Sequence, residues 1–85
     1  MNVDDVKALI AGALQAIKSA ERTLDVASAD AREALTVAAA TTHDSAHPDV
    51  EAGLAAIRSA QREIELITRR LAAAADHAEH YQAGL

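Results

Sequence analysis

Near the C-terminus, Asp76, His77, Glu79, His80 and Tyr81 form the densest collection of chemistry-capable side chains in the sequence. His77 and His80 are three residues apart, and Asp76 and His80 are four apart. On a helix, both spacings put the pair on one face. Neutral imidazole together with carboxylate is a ligand set for zinc or another divalent ion. Asp76, His77 and His80 are therefore the metal candidates. A helix-borne site of this kind recruits a further ligand from elsewhere, and the sequence offers none. His43 and His47 fall in a polar segment that a hairpin places at the opposite end of the molecule. The same histidines also suit the C-terminal end of a helix, where a cation-capable side chain complements the dipole. The expectation is no resident metal and no cofactor.

Catalysis finds even less support. No serine nucleophile has a local base, the chain has no cysteine, and no glycine-rich phosphate loop occurs. The carboxylates Asp25, Asp30, Glu33, Glu63 and Glu65 fall on outward positions beside Lys18, Arg22, Arg32, Arg62 and Arg69. Glu65 and Arg69 have the favourable four-residue spacing of an ion pair on a helix. These charges read as solvated partners, and the chain reads as non-enzymatic.

The elements that carry these residues are two long helices. The stretch Ala16-Ile17-Lys18-Ser19-Ala20 is echoed as Ala56-Ile57-Arg58-Ser59-Ala60, each within a pattern of seven. Read from Val3, the first helix presents a seam of Val3, Val6, Ile10, Ala13, Ile17, Ala20, Leu24, Ala27, Ala31, Ala34 and Ala38. The second presents Val50, Gly53, Ile57, Ala60, Ile64, Ile67, Leu71, Ala74, Ala78, Tyr81 and Leu85. Steps of three and four are the spacing of a coiled coil. Asn2 is a good N-cap, and Asp4 and Asp5 complement the positive end of the first helix. Pro48 suits the first position of the second helix, with His47 extended before it. Gly84 suits its end. The predicted organisation is one domain over 1–85, with a helix over about 3–40, a loop over about 41–47 and a helix over about 48–82. The fold class is all-α: an antiparallel two-helix hairpin, coiled-coil-like, with an alanine-rich seam. Folding about Asp44 places Leu24 near Ile64, Ile17 near Leu71, and Ala38 near Val50.

Such a hairpin is short of core. Hydrophobic residues make up 51% of the chain, but many are alanine and the only aromatic is Tyr81. A small scaffold with so little large apolar area is marginal alone. Leu9, Leu14, Leu35, Val37 and Leu54 flank the predicted seam and widen the apolar stripe to that of a bundle helix. They are the expected interface residues for two hairpins joining in a four-helix bundle, or for a helical partner.

The formal net charge is -5, which disfavours a phosphate backbone as partner. The mixed-sign polar faces and missing Trp and Phe disfavour nucleic acid and the membrane surface. No uninterrupted apolar run approaches the ~20 residues of a membrane span. The acidic start, Met1-Asn2-Val3-Asp4-Asp5, lacks the basic opening of a signal peptide, so the expected location is the cytoplasm.

Three resemblances add expectations. Met1-Asn2-Val3-Asp4-Asp5-Val6, the restart Pro48-Asp49-Val50-Glu51-Ala52 and the closing Tyr81 to Leu85 resemble a family of short alanine-rich actinobacterial proteins of unknown function. That resemblance implies a helical hairpin and no activity. The hairpin length is similar to the WXG-type substrates of type VII secretion, which would imply export. This chain lacks the Trp-x-Gly turn of those proteins, and Leu85 stands where an acid follows their Tyr. Gln15, Ser19, Arg22 and Asp30 are partly similar to the Glu-x3-Ser-x2-Arg-x3-Gln-x3-Asp motif of coiled-coil anti-sigma factors. Gln15 replaces the Glu of that motif, Val26 replaces its Gln, and only Ser59 and Arg62 match in the second helix. The resemblance implies Ser19, Arg22, Asp30, Ser59 and Arg62 as residues that would hold cyclic di-GMP.

Overall fold

The computed structural model describes residues Met1–Leu85 and contains two α-helices and no strand. Helix α1 spans Val3–Thr42 and α2 spans Pro48–Ala83. They fold back on one another as a rod of 63 × 16 × 15 Å.

Local chemistry sets the ends. Asn2 is extended (ψ 177°), and its side-chain oxygen accepts a 2.8 Å hydrogen bond from the Asp5 N–H. The Asp5 carboxylate accepts from the Asn2 N–H in return at 3.4 Å. Two of the N–H groups that a helix start leaves unpaired are thereby satisfied reciprocally. Helix α1 ends at Thr42, and a turn at His43 and Asp44 follows. There the Ser45 N–H donates to the Thr42 carbonyl at 2.9 Å. His47 is held extended (φ -67°, ψ 133°) before Pro48, which bars the helical conformation to the residue preceding it. Its imidazole Nδ1 accepts from the Asp49 N–H at 3.0 Å and caps α2. Gly84 closes α2 with φ -81°, a conformation open to any residue, so its role as a stop does not use a left-handed backbone.

The helices meet along a seam that departs from the one predicted. Ile10, Ile17, Leu24, Ala31 and Ala38 in α1, and Val50, Ile57, Ile64, Leu71 and Ala78 in α2, face inward as expected. The residues alternating with them do not. Leu14 and Leu35 turn inward in place of Ala13 and Ala34. In α2, Leu54, Gln61, Thr68, Ala75 and Gln82 replace Gly53, Ala60, Ile67, Ala74 and Tyr81. The step from each shared position is four residues, not three. The alanine edge of the predicted seam therefore faces outward through most of its length, with Ala20 and Ala27 half-buried at the boundary.

The physical reason is area. Covering Leu14, Leu35 and Leu54 removes far more apolar surface from water than covering Ala13, Ala34 and Gly53. The polar residues admitted with them come at little cost. Thr42 and Thr68 donate their hydroxyls to the carbonyls of Ala38 and Ile64, at 2.6 and 2.8 Å. Glu21, Gln61 and Gln82 are only half-buried, so their polar ends reach solvent along the rod's margin. No buried side-chain polar atom lacks a partner.

Candidate interaction surface

The seam shift corrects the expected interface. Leu14, Leu35 and Leu54 do not flank the seam; they build it, and Leu14 is 9% exposed. Leu9 and Val37 remain outside, at 61% and 58% exposed. The outward alanine edge takes over as the candidate surface.

The rod has two unlike edges, each made from both helices. Residues one place after the shared seam positions form a charged edge, with Lys18, Asp25 and Arg32 from α1 and Glu51, Arg58, Glu65 and Glu79 from α2. Asp25 and Ser28 of α1 line one cleft with Ile64, Glu65 and Thr68 of α2, which places this edge on a single side of the rod. Residues one place before Leu14, Leu35, Leu54 and the positions whole heptads from them form the opposite edge. It reads Val6, Ala13, Ala20, Ala27 and Ala34 from α1, and Gly53, Ala60, Ile67, Ala74 and Tyr81 from α2. None of these carries a charge. Ile67 is 43% exposed and Tyr81 59% exposed along it. Leu9 and Val37 lie one turn further round α1 and broaden the same face.

Near the turn this face is indented. Ala38 and Thr42 of α1 and Val50, Gly53, Leu54 and Ile57 of α2 line an open cavity of about 210 Å³, with Asp49 also lining it. Ala38 and Val50 meet here as the sequence placed them. A Cβ built on Gly53 finds no atom within 4 Å, so the missing side chain leaves real space.

The chemical candidates do not assemble into a site. Asp76, His77 and His80 are all exposed, and no group of three His, Cys, Asp or Glu side chains is placed to hold a metal ion. Ser19, Arg22, Asp30, Ser59 and Arg62 are likewise exposed on the outer surfaces of their helices. Arg22 and Asp30 stand roughly 12 Å apart along the α1 axis at 1.5 Å per residue. The charged-edge cleft is polar and shallow, and on its α2 wall Arg69 reaches Glu65, one turn away, at 3.9 Å. Both members of that ion pair are largely solvated, so it adds little to stability. No helix is long and apolar enough to cross a membrane.

The signal that marks the candidate face lies in the sequence as a second apolar stripe beside the first. Every alanine, glycine or isoleucine of that stripe was visible; which stripe closed the hairpin was not. No family model, curated protein or solved structure matches the chain.

Proposed function

We propose that this chain is a non-enzymatic interaction module that self-associates, two hairpins packing through their uncharged faces into a four-helix bundle. The observation that supports this is the near absence of an interior. Only Leu14 and Ala75 are buried in the whole chain. The accessible surface is 6112 Å². A compact monomer of 8.9 kDa exposes about 4,800 Å². The excess of about 1,300 Å² per chain is more than the about 800 Å² that each partner gives up in a standard-size specific interface. One long face of a 63 × 16 Å outline is large enough to supply it.

A second copy is favoured over a foreign partner by the charge distribution. The uncharged edge meets itself without like-charge repulsion, whereas a face of one sign would call for a partner of the other. A closed two-fold pair also covers the same patch on both chains at once. Sedimentation equilibrium at micromolar concentration tests the reading: the expected mass is that of two chains. A single-chain mass persisting to roughly 100 µM, an affinity too weak for a working dimer, would overturn it.

A further inference from the structure

The geometry points to a specific mode for this pairing: α2 of one hairpin lies antiparallel to α2 of the other, with Ile67 on the two-fold axis and Tyr81 of each chain seated in the Gly53 cavity of its partner. The inference rests on the self-association proposed above and fixes its register.

Three independent features converge on it. The first is size. Along the α2 edge the order is Gly53, Ala60, Ile67, Ala74, Tyr81, at intervals of one heptad. Inverted about Ile67, the smallest residue faces the largest, alanine faces alanine, and isoleucine faces its own copy. Close packing between helices requires this alternation of large against small.

The second feature is the cavity. Tyr81 is the sole aromatic and is exposed on this edge. Gly53, four heptads from Tyr81 with Ile67 midway between them, borders an apolar hollow of about 210 Å³. A cavity of ~150 Å³ is enough to hold benzene, so a phenol ring fits. Thr42 and Asp49 also line the cavity, where their oxygens can receive the phenol hydroxyl that a buried tyrosine needs to satisfy.

The third feature is charge. Glu63 and Arg70 border the outer flank of the edge, on either side of Ile67. Neither makes an ion pair within its own chain. Inversion about Ile67 sets Glu63 of each hairpin beside Arg70 of the other, giving two reciprocal pairs. Helix α1 does not obstruct the approach. At the level of Ile67, near where Asp25 and Ser28 share a cleft with Ile64 and Thr68, its corresponding edge presents only Ala20 and Ala27.

The test compares dimer dissociation constants by sedimentation for the whole chain and three variants. Glu63→Arg is expected to weaken the dimer at least fivefold, and the double variant Glu63→Arg with Arg70→Glu to recover to within about twofold, since the pairs are restored with signs exchanged. Gly53→Leu is expected to weaken it at least tenfold while leaving helical circular dichroism intact, because the added side chain meets open space in the single hairpin. A wild-type dimer that is indifferent to Gly53→Leu, or whose Glu63→Arg defect is not relieved by Arg70→Glu, would overturn this register and leave self-association standing. A wild-type monomer would overturn both.

Discussion

Gln82 of α2 donates its side-chain N–H to the Lys7 carbonyl of α1 at 3.4 Å, and it is the one side-chain hydrogen bond that joins the two helices. All others run within a helix, at its caps or in the turn. Polar contacts therefore do not hold the hairpin closed. A bond this long and this exposed contributes little, and the work falls to the seam.

Gln82→Ala is accordingly expected to cost less than about 0.5 kcal/mol in denaturant unfolding, as for surface changes in general. Leu14→Ala is expected to cost about 2 kcal/mol. That is the low end of the range for a buried leucine, because water reaches a two-helix seam and no sealed cavity is left behind. Equal effects of the two changes would mean that the seam is not where the stability lies.

The start of α1 makes a separate prediction. Asn2 and Asp5 satisfy each other's backbone N–H groups. Asn2→Ala removes the acceptor for the Asp5 N–H and breaks the reciprocal arrangement, at an expected cost of about 1 kcal/mol. The loss should be local to the open end of the rod. Hydrogen exchange should speed up for the first turn of α1 and stay unchanged near the His43 turn. Uniform acceleration along the chain would contradict this.

Gly12 lies mid-helix with open space where a Cβ would sit. Gly12→Ala is expected to stabilise the hairpin by about 0.5–1 kcal/mol, by reducing the freedom of the unfolded chain and favouring the helix. Gly12 is outside the uncharged edge, so this gain should leave dimer affinity unchanged. It serves as the reference for Gly53→Leu, which combines an improved helix with a blocked cavity. A loss of stability in Gly12→Ala would indicate close approach of another chain at that point.

The helices, the Asn2 cap and the turn were legible in the sequence because their signals are local; the His47 imidazole as the cap of α2 was not, because imidazole is not among the usual capping side chains. Asn2, Asp5, His47 and Pro48 act through their immediate neighbours, and a seven-residue apolar period reports a helix whatever it packs against. The seam was half legible. Ile10, Ile17, Leu24, Ile57, Ile64 and Leu71 belong to both apolar stripes, so either choice places them inside. Ala13 against Leu14, and Gly53 against Leu54, is a choice between neighbours on one helix, decided only by which face the second helix covers. Unbroken apolarity favoured the alanine stripe; buried area favours the leucine stripe and tolerates Glu21, Gln61 and Thr68 within it. The same shift hid the candidate surface. Leu14, Leu35 and Leu54 looked free for a partner because Ala13, Ala34 and Gly53 were assigned to the seam, and Ile67 and Tyr81 looked internal for the same reason.

Melting gives the last prediction, and it separates a self-associating hairpin from one stable alone. If two chains cover one another's uncharged faces, folding is linked to association, and the midpoint of thermal unfolding must rise with protein concentration. An 85-residue chain gains roughly 4–8 °C per kcal/mol. A tenfold increase in concentration shifts the balance by about 1.4 kcal/mol per dimer. Shared between two chains, that is an expected rise of about 3–6 °C per decade. Tyr81→Ala should flatten the dependence by weakening the contact, while far-ultraviolet circular dichroism at low temperature keeps its helical form. A midpoint constant across two decades of concentration would show that the exposed faces of Ile67 and Tyr81 need no second copy to cover them.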